Sequence, residues 1–461
     1  MEIYTDKDIA LLEENIDSIN DKIQEIKYKT FDPKKEEMDA ILKVVLDYVE
    51  KNKRKVYGGT AHNAVIKHKN KIDAFYKDTD IPDIDIYSPE PLVDIMTIAN
   101  QLVDLGYTDI EAREAQHKDT YSLFVKRTNY LDVSYVPKNI FNRMPFIEID
   151  NIYYIHPYFA MIDYYRMLND PMTSYFRIGK SFKRLKLLQR HFPINKLEKK
   201  VKTIEKPNED TEKVLNEIFT FLKNKESTIL VGDYAYNYFL KESNLKESFL
   251  SELPISRYDF ISADYKNDGI ELIKLLRSKF GDGKIKVAEY YPFFQFFGYN
   301  SIISFNDKPV CRIYHHNDKC LTYQDVKLGK DFIRIASFNL IAMYYMTHMM
   351  YARTNKNKEK KCNMNTYLSH LFMMRNNYLK KNKKTIFDTS PFEEFTIKCI
   401  GKTLEPAMEF AKRIKERKSK GKPLIWTYRP LENRKEAEQN YIYGNLSGNI
   451  INNPKNLQLT K

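Results

Sequence analysis

Apolar residues recur over the first thirty positions with the spacing of a helix seam. Ile9, Leu12, Ile16, Ile19, Ile23 and Ile26 follow one another at alternating steps of three and four. The spacing predicts a helix over 8–29 with one apolar stripe in polar surroundings, either a dimer seam or an arm laid across a neighbouring domain. Asp32-Pro33 is a good helix start, and Met38, Ile41, Leu42, Val45, Leu46 and Val49 outline a second amphipathic helix over 34–52. The period then shortens. A strand ends at Val56-Tyr57, a helix covers 60–68, and apolar and acidic residues alternate with the period of a strand in Ile81-Pro82-Asp83-Ile84-Asp85-Ile86. Residues 91–105 return to a helical period closed by Gly106, and strands follow at 121–126 and 130–136.

The same order of elements recurs. After a charged linker broken by Pro207, a helix over 214–224 feeds a strand and then Val231-Gly232-Asp233, with a helix at 269–280 and strands at 292–297 and 309–314. Gly58 and Gly232 stand 174 positions apart, as do Asn63 and Asn237, and the same offset sets Asp83 against Arg257 and Asp85 against Asp259. Tyr164-Tyr165 and Tyr344-Tyr345 match at an offset of 180, both in apolar helices. The predicted class is α/β (α+β), with two tandem modules. An N-terminal helix or arm covers 1–30, a first module 31–192, a linker 193–210, a degenerate second module 211–350, and a basic helical region with a mobile tail 351–461. Trp426 is expected to anchor part of that tail on the core.

Candidate chemistry concentrates in the first module. Gly58-Gly59-Thr60 reads as a strand-to-helix turn at which backbone can approach a phosphate without a Cβ in the way. A strand carrying Asp83 and Asp85 projects both carboxylates from one face, about 7 Å apart, and buries the isoleucines between them. Such a pair suits two divalent cations, and Asp132, in the strand Tyr130–Val136, offers a third carboxylate. Asp78-Thr79-Asp80 is a rival pair without the apolar alternation. The set points to phosphoryl or nucleotidyl transfer. The second module has lost it: Arg257 replaces one acid, Asp233 replaces the second glycine, and 309–314 carry no acid, so this copy reads as a silent scaffold.

Charge narrows the partner. The chain carries a net +13, with six Lys/Arg and no acid in 171–190 and a strong basic excess in 351–390. Basic clusters beside abundant aromatics, 34 Tyr and 27 Phe, suit single-stranded nucleic acid. In the helix Lys180–His191, Phe182, Leu185 and Leu188 form an apolar face while Lys180, Lys183 and Arg184 cluster on another, placed to contact a polyphosphate. No run of eighteen apolar residues occurs and Met1 is followed by an acid, which predicts no membrane span and a cytosol-like compartment. Four scattered cysteines are expected as reduced thiols. Cys311, His315, His316 and Cys320 offer four soft ligands, but without the CxxC spacing of zinc sites.

Gly-Gly-Thr after a strand, the alternating Asp83/Asp85 pair and a third strand acid together resemble the polymerase-β-type nucleotidyltransferases. Ile155-His156-Pro157-Tyr158, Tyr164-Tyr165-Arg166 and Gly179-Lys180-Ser181-Phe182-Lys183-Arg184 extend the resemblance to the poly(A) polymerase catalytic subunits of large cytoplasmic DNA viruses. That resemblance implies metal ligation by Asp83, Asp85 and Asp132, with two Mg2+ or Mn2+ ions, and a triphosphate held by Gly58, Gly59 and Thr60. It also implies ATP as substrate, an RNA 3′ end as partner, a homodimer, and action in the host cytoplasm. Thr60 stands where the superfamily often has Ser, and the gap from Gly59 to Asp83 is longer than in minimal members. Another base specificity on the same core, such as CCA addition, uridylylation or oligoadenylate synthesis, stays open, as does a non-catalytic RNA-binding subunit.

Overall fold

The computed structural model describes residues 3–30, 33–77, 80–202, 206–293, 298–316, 319–401 and 404–437. The described residues form two compact units, one within 3–135, 146–154 and 413–437, the other within 136–145 and 155–412. The helix α1 (Asp6–Thr30) buries none of its residues. Its predicted stripe is solvent-facing along its length, with Ile16 39% and Ile26 64% exposed, so within a single chain it is not a covered arm.

The first unit is built on one mixed sheet. Its strands are β1 (Lys55–Tyr57), β2 (Ile84–Ser88), β3 (Ile110–Glu114), β4 (Thr120–Val125), β5 (Thr128–Tyr135), β6 (Phe146–Ile149) and β7 (Ile152–Ile155). A short C-terminal strand, Thr427–Tyr428, joins the edge at β3, giving the order Thr427–Tyr428, β3, β4, β5, β2, β1, β7, β6. Strand β2 runs antiparallel to β1 and parallel to β5, which is what brings acids from two segments side by side. Helices α2 (Lys35–Lys51) and α4 (Pro91–Asp104) pack together and cover the sheet with the apolar positions that the pattern marked, Ile41, Val45 and Val49 on one and Ile95, Ile98 and Leu102 on the other. One buried acid ties the layer. Asp94 accepts both Arg54 Nε and Nη2 at 2.7 Å and the Tyr48 hydroxyl at 2.8 Å, so its charge is paired and its oxygens are satisfied. Trp426 anchors the C-terminal strand as expected, edge-on to Tyr121 at 5.3 Å, with its carbonyl accepting from Glu114 N at 3.0 Å.

The second unit repeats the plan. Strands β8 (Thr228–Val231), β9 (Tyr258–Ser262), β10 (Ile285–Tyr290), β11 (Asn300–Phe305), β12 (Lys308–His315), β13 (Leu321–Leu328), β14 (Asp331–Ala336) and β15 (Cys399–Ile400) form a sheet in the order β10, β11, β12, β9, β8, β14, β13, β15. The strand expected at 292–297 is displaced. The ladder beside β12 is instead β11, with β10 outside it, and 294–297 lie outside the described residues. The two apolar helices matched by their Tyr-Tyr pairs, Pro157–Leu168 and Phe338–Thr354, pack against each other in this unit. Phe338–Thr354 is apolar around nearly its whole circumference because other elements surround it. No helix among the described residues is long and apolar enough to cross a membrane.

Contrary to the expectation from the sequence, the four cysteines are not all reduced thiols. Cys320 and Cys399 form a disulfide. The cause is the antiparallel pairing of β13 with β15, which sets Leu321 opposite Ile400 and Thr322 opposite Cys399 and brings the two Cα atoms to 5.2 Å. Nothing in a separation of 79 residues signals that pairing. The Cys311/His315/His316/Cys320 group therefore does not assemble as a metal site: Cys320 is bonded elsewhere and Cys311 is sealed in the sheet.

Candidate active site

The site begins with a backbone constraint. Tyr57 ends β1 in an extended conformation and Gly58 turns at φ +68°, so the helix α3 (Gly58–Lys69) starts directly from the strand. That positive φ is ordinary for glycine and strained for any residue with a Cβ. Space demands glycine as well, because a Cβ on Gly58 would lie 2.0 Å from Asp85 Oδ2. Pairing explains the closeness, since Tyr57 is the antiparallel partner of Asp85.

Asp85 and Asp132 are direct partners across the parallel β2–β5 ladder, and Asp83 immediately precedes β2. Ile84 and Ile86 point the other way into the core, 3% and 0% exposed, as the alternation predicts. The three carboxylates converge, each offering an oxygen within 4.8 Å of the others. Asp83 is exposed and the other two are half-buried. Three anions at that separation repel one another, and oxygen-only donors grouped in this way suit hard divalent cations. The residues present thus fit a metal site, and among the described residues this is the one His/Cys/Asp/Glu group so placed.

Neighbours hold the acids in position. Asn129 Nδ2 donates to Asp132 Oδ1 at 3.1 Å. Thr60 Oγ1 donates to the Asp83 carbonyl at 2.9 Å, which ties the glycine turn to the segment carrying the acids. The Asn63 side-chain oxygen accepts from Phe75 N at 2.8 Å and Tyr76 N at 2.9 Å, anchoring the long connection that precedes Asp83. Tyr57 and Tyr87 stack at 3.9 Å, and the Tyr57 hydroxyl shares a 2.8 Å hydrogen bond with Ser134 Oγ. Tyr87 and Ser134 each lie two residues beyond an acid, so these groups extend the same face of the sheet.

Of the residues singled out in the sequence, Gly58, Thr60, Asp83, Asp85 and Asp132 meet here, and Gly59 follows in the first turn of α3. Lys180 and Lys183 are exposed and Arg184 is half-buried on the helix Ile178–His191, which buries Ser181, Leu185 and Leu188 and belongs to the second unit. Asp78 and Thr79 of the rival pair lie outside the described residues. Asn129 and the anchoring role of Asn63 were missed. For Asn63 a signal existed, because Asn237 at the same offset also grips a connection, accepting from Leu253 N at 2.9 Å and donating to its carbonyl at 2.8 Å.

Comparison with known proteins supplies the context. The family profile "Poly(A) polymerase catalytic subunit" matches residues 43–174. A second profile, for the C-terminal part of a poly(A) polymerase catalytic subunit, matches 186–461. The chain is 32% identical to the poly(A) polymerase catalytic subunit of Acanthamoeba polyphaga mimivirus over 98% of its own length and 84% of the relative's. It is 29% identical to an African swine fever virus protein of the same description over 36% of this chain and 37% of that one. The crystal structure of the Megavirus polyadenylate synthase superposes with a TM-score of 0.89 at 31% identity, covering 96% of this chain and 90% of that chain.

Gly58→Ala tests the geometry without reference to any reaction. The added methyl displaces the Asp85 carboxylate, and Mn2+ affinity measured by calorimetry is expected to fall about 10- to 100-fold, as for losses of groups that orient a metal ligand. Unchanged affinity would mean that Asp85 does not hold the ion.

Proposed function

The chain belongs to the poly(A) polymerase catalytic subunit family, and we propose that Asp83, Asp85 and Asp132 are the carboxylates at which its chemistry takes place. It is a poly(A) polymerase, adding AMP from ATP to RNA 3′ ends without a template. The observation that carries the assignment of the site is the convergence of three carboxylates within 4.8 Å beside a glycine turn that opens a helix.

In the reaction the RNA 3′-oxygen bonds to the α-phosphorus of ATP, the α–β phosphoanhydride breaks, and pyrophosphate leaves while the hydroxyl proton passes to water. Divalent ions, two Mg2+ or Mn2+, supply a lowered pKa for the attacking hydroxyl and neutralise charge on the phosphates when bound. Asp83 and Asp85 would hold both ions, and Asp132, oriented by Asn129, would hold the one nearer the primer. Gly58, Gly59 and Thr60 would receive the triphosphate. The first N–H groups of α3 lack partners within the helix and favour an anion there. The hydrogen bond from Thr60 to the Asp83 carbonyl keeps the phosphate turn and the acids in fixed register. Lys180, Lys183 and Arg184, with the basic stretch 351–390, would contact phosphates, which makes RNA binding weaken steeply with salt.

Extension of a labelled oligoribonucleotide with each of the four NTPs and Mg2+ or Mn2+ tests this directly. ATP alone should support long extension, and Asp85→Asn should lower the rate at least about 100-fold, the scale of losing one transition-state contact. Extension that survives in the double variant Asp83→Asn/Asp85→Asn would overturn the site. Replacing Lys183 and Arg184 by Gln should flatten the salt dependence of RNA binding, and an unchanged slope removes them from the interface.

We also propose that the solvent-facing stripe of α1 is a homodimer seam. Six apolar side chains repeat at heptad spacing along a helix that buries nothing within its own chain, and a second copy offers the same stripe in return. Light scattering should give a dimer for the unmodified chain and a monomer for Ile16→Asp/Ile23→Asp. A dimer mass for that variant would place the seam elsewhere.

A further inference from the structure

The second module keeps the backbone of the carboxylate site and inverts its charge. Val231 lies opposite Asp259 as Tyr57 lies opposite Asp85. Gly232 turns at φ +64°, and a Cβ there would come within 3.0 Å of Asp259 Oδ2. Strand β12 then runs parallel to β9 with Arg312 beside Asp259, where β5 sets Asp132 beside Asp85. Arg257 holds the position two residues before Asp259, as Asp83 does before Asp85. One acid remains, and arginines stand where the other two would be.

That acid is already neutralised. Arg257 donates to Asp259 through Nε at 2.6 Å and Nη2 at 2.8 Å, and the Tyr344 hydroxyl donates at 2.9 Å. Burial opposes the charge on Asp259, but Arg257, joined by Arg312 and the Tyr344 hydroxyl, outweighs it and holds the carboxyl below its usual range. Arg312 has no such counterion in its hydrogen bonds: Nε and Nη2 donate at 2.9 and 2.8 Å to the neutral Asn300 side chain, and the guanidinium lies 4.8 Å from the Tyr314 ring centre. Lys360, in the first turn of the helix Lys358–Lys381, lies 5.9 Å from the Tyr351 ring. Burial, followed by the positive charges of Arg312 and Arg257, pushes its ammonium down to about 8.

Arg257 and Arg312 thus flank a single paired carboxylate, with the Lys360 ammonium near enough for their charges to act on it, and all three side chains remain partly exposed. Each guanidinium carries five N–H donors, of which the bonds above engage two, so each retains donors for another acceptor. A tetrahedral anion with several oxygens matches two guanidinium forks and an ammonium better than a single carboxylate does. A whole nucleoside triphosphate is a poor fit. Asp233 stands at the second position of the turn, takes the Tyr367 hydroxyl at 2.6 Å, and closes the phosphate-binding end with an acid.

We propose that Arg257, Arg312 and Lys360 form a phosphate-binding site at the former metal position of the second module. Its occupant is a phosphate group, either from the backbone of an RNA strand or from free pyrophosphate.

The test uses the full chain in EDTA, which removes the ions that the carboxylate site needs to hold phosphates. Sodium pyrophosphate is titrated calorimetrically into the unmodified protein, Lys360→Gln and Lys360→Arg. One saturable site is expected, weakened at least tenfold in Lys360→Gln and retained in Lys360→Arg, with thermal melting of both variants unchanged. Arg257→Gln is a poorer probe because it leaves Asp259 buried without its partner. Binding of labelled oligoadenylate in the same buffer separates the sources. If strand phosphate occupies the site, Lys360→Gln lowers RNA affinity and reduces the slope of log K against log salt by about 0.7. If pyrophosphate binding falls while RNA binding holds, free pyrophosphate is the occupant. If Lys360→Gln changes neither, the proposal is overturned.

Discussion

The approach of the Gly58 backbone to the Asp85 carboxylate is the constraint on which the first unit's site depends. A strand and a helix meet there without a connecting loop, and a side chain at the junction would occupy the space of a carboxylate oxygen. Once Gly58 turns at positive φ, the start of α3 lies against β1 and β2. The glycine turn and the three acids then share one location through strand register rather than through flexible loops. The paired, buried Asp94 of α4 serves rigidity in the same sense, since it takes one hydrogen bond from Tyr48 on α2 and two from Arg54 in the turn that leads into β1.

The second unit shows which part of this arrangement is fold and which is chemistry. Its glycine turn, its strand register and its loop-gripping asparagine repeat those of the first. Two substitutions at the acid positions, to Arg257 and Arg312, are enough to convert a cluster that needs cations into one that repels them. The surrounding tyrosines then satisfy what remains: Tyr344 on Asp259, Tyr367 on Asp233, and Tyr345 on the Gly232 carbonyl at 2.9 Å. The backbone frame survives because sheet pairing and core packing maintain it, independently of the charges it displays.

Much of this was legible in the chain itself, and the reasons are physical. Period-2 alternation placed Asp85 and Ile86 on opposite faces, and period-3.6 patterning located α2 and α4 within a few residues. The common offset of 174 identified the repeat because insertions had not disturbed the segment between the glycine turn and the acids. What was not legible depends on pairing between distant strands. The Cys320–Cys399 bond follows from β13 meeting β15, and neither cysteine carries a local sign of it. Strands β3, β6, β7, β10, β11, β13, β14 and β15 fell outside the expected set; for β10 the reason is plain, since it leaves Lys286, Val287, Ala288 and Glu289 exposed along a sheet edge. Asn129 escaped notice because its role lies in a single side-chain hydrogen bond to Asp132.

If Asp83 and Asp85 hold two divalent ions and Asp132 only one of them, as proposed, the number of ions bound per chain must change differently when each acid is replaced. Bound Mn2+ per chain can be measured by electron paramagnetic resonance in the presence of a non-hydrolysable ATP analogue. Two ions are expected for the unmodified protein, one for Asp132→Asn, and none for Asp83→Asn/Asp85→Asn. Two ions persisting after either replacement would contradict the account and move the metal site, and with it the chemistry, elsewhere in the chain.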